Sequence, residues 1–394
     1  MMQTAQRMSQ LGTETAFEVL ARAEALAREG RDIINLGIGQ PDFKTPPHIV
    51  EAAVKALHDG HHGYTPSPGI PALREAVCRD LERHRGVSVS PERIVAVPGG
   101  KVTMFFAIMM FGEPGAEILY PNPGFPIYES VIKFSGATPV PIPLLEDRDF
   151  SFDAEAVLAS ITPRTRLLIL NSPANPTGGA IPAETIDTLV EGLAAHPQVA
   201  VLSDEIYSRM TYDGQAHVSL LSYPQIEDRV ILLDGWSKTY AMTGWRLGYA
   251  VWPESLVAGA TRLAINCHSC VNAATQYAGI AALDGPQDSV GEMVAAFDER
   301  RHVIVDGLNA IEGVRCRTPG GAFYAFPNIT GTGMSARDLQ TRLLEDAGIA
   351  AIAGTSFGAY GEGYLRFSYA NNVTNIRRAL ERMSEFLSTA TMAG

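Results

Sequence analysis

RVILLDGWSKTYAMTGWRLGYAVW, residues 229–252, runs from one short apolar segment through a polar, glycine-containing stretch into another. Apolar runs of this length, bounded by polar and glycine residues, read as strands buried on both faces. Five more precede them: RIVAVPGG (93–100), AEILYPNP (116–123), TPVPIPL (138–144), RLLILNSP (166–173) and VAVLSDEIY (199–207). Between and around them lie helical patterns such as TAFEVLARAEALAREG (15–30), closed by Gly30. This alternation predicts an α/β domain with a mostly parallel, helix-covered sheet. Several runs end directly in polar and glycine clusters, where open α/β sheets hold ligands.

After about residue 285 the pattern changes. A long helical stretch (292–311) is followed by short strand patterns at GAFYAFP (321–327), IAAI (349–352) and YLRFSY (364–369), then a last helix over 373–387. The expected division is a large domain at 49–285 and a smaller α+β domain from 1–48 and 286–394.

With 394 residues, 46% of them hydrophobic, the chain can bury a sizeable core. Its net charge of −12 and scattered basic residues argue against nucleic acid or anionic membrane as partners. The longest apolar run, 102–111, is shorter than the roughly 20 residues of a membrane span, so a buried helix is expected there. The first thirty residues lack the pattern of a secretory signal, and a cytoplasmic location is expected. Four cysteines in so long a chain make no disulfide framework. Cys267 and Cys270 flank His268 without a second pair at zinc-binding spacing, so packing on one helical face is expected and no metal site.

Only five lysines occur. Lys44 follows a Pro-Asp-Phe loop, Lys55 lies on the amphipathic pattern HIVEAAVKAL, Lys133 precedes a turn, and Lys101 sits where a strand gives way to a helix. Lys238 differs, because apolar segments flank it on both sides. Burial disfavours the ammonium and lowers the pKa, as an imine-forming lysine requires. A lysine packing its stem on apolar surface with its head in water remains the alternative.

GWSKTYAMTGWRLG (235–248) resembles the cofactor-lysine signature of the class I and II aminotransferases, which are fold-type I pyridoxal-phosphate enzymes. In the same order as in that family come GIGQPDF (37–43), YTPSPGIPALREA (64–76), GGK (99–101), YPNPGFPIY (120–128), NSPANPTG (171–178), SDEIY (203–207) and YLRFSYA (364–370). The resemblance covers nearly the whole chain. It implies a large domain with a mostly parallel seven-stranded sheet, pyridoxal 5'-phosphate as cofactor, and a homodimer with shared active sites.

The site residues are carried over motif by motif. Lys238 is implied as the lysine joined to the cofactor, Asp204 as partner of its ring nitrogen, and Tyr207 and Asn175 as donors to its phenolic oxygen. Gly99, Gly100, Lys101, Ser237 and Arg246 are implied around the phosphate, with Tyr64 lent to the neighbouring subunit and Phe125 stacked on the ring. Arg366, with Asn175 and the Gly39 backbone, is implied as the clamp for the substrate's α-carboxylate. One departure stands out: Gly235 occupies a position where many relatives carry a serine whose hydroxyl reaches the phosphate.

The reaction implied is transfer of the amino group from an α-amino acid to a 2-oxo acid by a ping-pong route through Lys238. Residues 266–277, NCHSCVNAATQY, contain no arginine, so the simplest dicarboxylate clamp is missing there and the donor side chain stays open. The alternatives are an eliminating lyase or synthase of the same fold and, more remotely, a non-catalytic sensor module.

Overall fold

The computed structural model describes residues 2–391; Met1 and residues 392–394, the extreme ends of the expected smaller domain, lie outside the described residues. The seven apolar runs form one sheet of strands β1 (Ile94–Val97), β2 (Glu117–Asn122), β3 (Thr138–Pro143), β4 (Thr165–Asn171), β5 (Ala200–Asp204), β6 (Val230–Gly235) and β7 (Gly248–Val251). Their spatial order is β1-β7-β6-β5-β4-β2-β3. Only β7 runs against its neighbours; the β6–β5, β5–β4, β4–β2 and β2–β3 pairs are all parallel.

Strand alternation explains why these runs are apolar at nearly every position. Leu167 and Ile169 of β4 enter one apolar cluster while Leu168 and Leu170 enter another on the opposite face. Met104, Phe106 and Ile108 of helix Lys101–Phe111 and Ala260 and Ala264 of helix Glu254–His268 pack into the first cluster. The second takes Leu73 and Val77 of helix Pro71–Arg85, and Ile186 and Leu189 of helix Ala183–Leu193. Each fully buried aliphatic side chain contributes about 1.5–3 kcal/mol of transfer free energy, so both helical layers are needed to cover the sheet.

The later elements build a different layer. Ile34–Asn35 pairs in parallel with Ile349–Ala350, and Ile352–Ala353, Leu365–Ser368 and Tyr324–Ala325 form a three-stranded antiparallel sheet. Helices Asp288–Asn309 and Ala336–Glu345 flank them through Phe297, Ile304, Leu339 and Leu343, which share an apolar cluster with Ile34, Phe323 and Ile376. Helix Val373–Thr391 runs past the expected end at 387. The N-terminal helix, Thr15–Arg28, buries Val19, Ala23 and Leu26 in a cluster that includes Ala350 and Ile352, and Arg22 bonds Glu345 at 2.7 Å.

The expectation for the cysteine pair is overturned. Helix Glu254–His268 stops between them, with Ser269 in the left-handed region at φ 62° and its N–H closing on the Ala264 carbonyl. Cys267 is therefore exposed on the last turn and Cys270 half-buried in the following loop, not on one helical face. The 102–111 helix is also not wholly buried: Phe105 points outward while Thr103, Met104 and Phe106–Ile108 point in. No helix among the described residues is long and apolar enough to cross a membrane.

Candidate active site

A cavity of about 450 Å³ opens where β4, β5 and β6 end, bounded on its far side by Ile38–Gln40, Tyr324 and Arg366. This is where an open parallel sheet presents its strand ends, and the volume is within the range usual for small-molecule sites. The strands deliver the chemistry. β5 ends on Asp204, β4 on Asn171, and β6 passes through Gly235 into the short helix Trp236–Thr239 that carries Lys238.

The Lys238 amine donates to the Gly39 carbonyl at 2.6 Å and lies 5.8 Å and 5.7 Å from the ring centres of Tyr207 and Phe323. Burial, helped by the positive charges of Arg366 and Arg246, lowers its pKa to about 8. Three of the four other lysines form ion pairs instead: Lys55 with Asp59, Lys133 with Glu129 and Lys101 with Glu14.

Asp204 is buried, and burial raises its carboxyl to about 7 although Tyr128 donates to it at 2.6 Å. Such a carboxylate is completed by a cationic N–H donor, since opposite charge restores the ionised form. Tyr207 lies three residues on, its hydroxyl sharing a hydrogen bond with that of Tyr324 at 2.7 Å. The Asn171 amide bonds the Asp204 carbonyl at 3.1 Å and its oxygen accepts the Asn175 backbone N–H at 2.9 Å, tying the asparagine loop to the strand that carries the carboxylate.

Arg366, buried in strand Leu365–Ser368, donates Nη1 to Asn175 Oδ1 at 2.9 Å and Nη2 to the Gly37 carbonyl at 2.5 Å. Tyr324 and Phe357 sandwich its guanidinium, with ring centres 4.8 Å and 4.7 Å away. Its Nε is buried without a hydrogen-bond partner. A rigid fork held this way suits a carboxylate.

Helix Lys101–Phe111 starts at the cavity with Gly100 as its N-cap, so its first N–H groups favour an anion there. Ser237, Phe125 and Arg246 line the same cavity. Arg246 sits in the left-handed region at φ 57° and bonds the Thr243 carbonyl at 2.8 Å. Gly99 does not line the cavity; it underlies the Arg246 guanidinium, which a Cβ at 99 would strike. Tyr64 is not in it either. That side chain is 94% exposed, beside a separate depression that includes His61 and Cys270.

Gly235 has a local reason. It lies opposite Gly248 in the β6–β7 register; a Cβ on Gly235 would come 2.8 Å from Gly248 Cα, and one on Gly248 would come 2.6 Å from Gly100 N. These glycines let three backbones close beneath the helix N-terminus. Gly235→Ser is expected to destabilise the fold by about 1–3 kcal/mol in chemical denaturation, because the backbone must give way. A midpoint equal to that of the parent protein would contradict this packing.

Below the cavity, Arg85 bridges Glu205, at 2.9 Å, and Asp234, joining the ends of β5 and β6 through the last residue of helix Pro71–Arg85. Burial raises both carboxyls, yet at Glu205 the His217 and Arg85 contacts outweigh it and bring the pKa down to about 2. At Asp234 burial wins over Arg85 and the shift is upward.

Four residues of the site were not singled out from sequence: Tyr324, Asn171 and Glu14, which line the cavity, and Tyr128, buried behind it against Asp204. Tyr128 and Asn171 sit inside quoted motifs, at the end of YPNPGFPIY and the start of NSPANPTG. Tyr324 had no local signal, because only the folding of a distant strand brings it to Tyr207.

The donor set fits pyridoxal 5'-phosphate: a buried carboxylate for a ring N–H, an amine of lowered pKa, a guanidinium and helix N-terminus for a phosphate, and an arginine fork with an unpartnered N–H for a carboxylate. The sequence model of the family "Aminotransferase class I and II" matches residues 31–383. An aspartate aminotransferase of Geobacillus stearothermophilus is 37% identical over 392 residues, covering 98% of this chain and 99% of the relative. The solved aspartate aminotransferase of Rhizobium meliloti superposes with a TM-score of 0.94 at 37% identity, covering 98% of this chain and 99% of that one. An aromatic aminotransferase of Pyrococcus horikoshii gives 0.89 at 34% identity, covering 95% and 99%.

Proposed function

The chain belongs to the class I and II aminotransferases and is a pyridoxal-phosphate-dependent transaminase, and on that premise we propose which of its groups do the work. When bound, the cofactor supplies an electron sink for the pair left when a bond to the substrate's α-carbon breaks. Lys238 holds the cofactor and, once its amine is free, takes the proton from the α-carbon; its pKa of about 8 suits a base near neutral pH. That burial-lowered amine is the observation that carries the reading.

Asp204 keeps the ring nitrogen protonated, with Tyr128 orienting the carboxylate. Tyr207 and Asn175 donate to the phenolic oxygen. Gly100 and Lys101 hold the phosphate through their backbone N–H groups at the helix start, leaving the Lys101 amine to Glu14, and Ser237 and Arg246 add side-chain donors, with Gly99 packed under Arg246. Phe125 covers the ring. Arg366, set by Asn175 and Gly37, grips the α-carboxylate and so fixes the substrate as an α-amino acid and its 2-oxo counterpart. Gly39 closes over the same carboxylate and meanwhile receives the free Lys238 amine.

We further propose a homodimer with shared sites. Val50, Val54 and Leu57 form an exposed apolar stripe on helix Pro47–His58, and the exposed Tyr64 follows on the same segment, free to reach a partner's phosphate. Residues 49–285 would be the cofactor-binding domain and 1–48 with 286–394 the smaller one. The exposed thiol of Cys267 suits the reducing cytoplasm.

Mixing cofactor-loaded enzyme with an amino acid and no oxo acid tests the reaction. Transamination yields one equivalent of 2-oxo acid per site together with the pyridoxamine form. Continuous release of pyruvate and ammonia from a cysteine conjugate would assign an eliminating lyase instead.

A further inference from the structure

Apart from the groups assigned above to the cofactor and the α-carboxylate, one charged side chain lines the cavity: Glu14, and it pairs with Lys101. Glu14 directly precedes helix Thr15–Arg28 but makes no side-chain capping bond, so Lys101 and not the helix holds it. The Lys101 amine lies 5.4 Å from the centre of the Phe125 ring, which places the pair at the wall of the cavity next to the expected ring position. The same cavity is lined by the apolar Phe17, Ile38, Met104 and Phe357, together with the uncharged polar Thr15, Gln40 and Ser356. Phe17 lines the cavity and is 59% exposed.

We propose that Glu14, by holding Lys101 as an ion pair at the cavity wall, sets the side-chain subsite for large uncharged apolar side chains and against the second carboxylate of acidic amino acids. This rests on the aminotransferase reading and deepens it. An unpaired lysine amine beside the substrate would attract a side-chain carboxylate. Paired with Glu14 it offers no net charge, so a second carboxylate entering the subsite is desolvated with no cation to receive it. An aromatic or long aliphatic side chain needs no such partner and gains by covering Phe17, Met104 and Ile38. The chain thereby departs from relatives named for aspartate while keeping the clamp for the α-carboxylate.

The test compares cofactor-loaded wild-type enzyme with Glu14→Gln, which removes the charge at nearly constant volume and costs no helix cap. Half-reactions with phenylalanine and with aspartate are followed by absorbance, and binding of the unreactive 3-phenylpropanoate and succinate by calorimetry. The wild type is expected to favour phenylalanine and 3-phenylpropanoate by about tenfold or more, and Glu14→Gln to shift both ratios about tenfold toward the dicarboxylates. A wild-type enzyme that prefers aspartate and succinate would overturn the proposal without using the variant. Ratios unmoved in a folded Glu14→Gln would overturn the role of Glu14. Absence of any half-reaction with any α-amino acid would instead sink the aminotransferase reading, and this proposal with it.

Discussion

Lys238→Ala is expected to lower turnover by about 10⁴-fold or more while the far-ultraviolet spectrum and thermal midpoint stay near those of the parent, because the position combines cofactor attachment with proton transfer. The substitution removes a buried amine whose ammonium form burial already disfavours, so the fold loses little and the chemistry nearly everything. No neighbour can take over. Lys101, the other lysine lining the cavity, is paired with Glu14, and the Gly39 carbonyl that receives the Lys238 amine is an acceptor only. Turnover within about tenfold of the wild type would remove Lys238 from the mechanism.

Arg366→Gln should reduce kcat/KM for the amino-acid half-reaction by about 100- to 1,000-fold, the scale of losing one partner of a buried charge-assisted pair. The guanidinium is oriented before substrate arrives by Asn175, Gly37 and two aromatic faces, so the loss falls on substrate recognition. Arg366→Lys keeps the charge but not the fork, and is expected to recover only part of the deficit. If Arg366→Gln changed kcat/KM by less than about threefold, the α-carboxylate would have to be held elsewhere.

Much of this was legible in the sequence because the decisive residues sit at strand ends. Asp204 and Lys238 follow directly from apolar runs, and a strand that ends at the sheet's carboxyl edge delivers its next residues to the cavity without further folding information. Arg366 lies within a strand of the second layer and was readable only through the resemblance of YLRFSYA to the family motif. What sequence could not supply were contacts made across long separations. Tyr324 reaches Tyr207 from 117 positions away, Arg85 joins strands that begin more than a hundred residues later, and Lys101 meets Glu14 across 87 positions.

Gly235 and the cysteine pair mark the limits in opposite directions. At Gly235 the motif departure was visible but not its cause, which lies in the facing glycine of β7. At Cys267 and Cys270 helical spacing misled, because Ser269 adopts a backbone conformation that ends the helix between them.

The most direct measurement of the central claim is borohydride reduction of the cofactor-loaded enzyme followed by peptide mass mapping. The account predicts a single modified peptide, with the cofactor mass on Lys238. Modification of Lys101 or any other lysine, with Lys238 left intact, would contradict it.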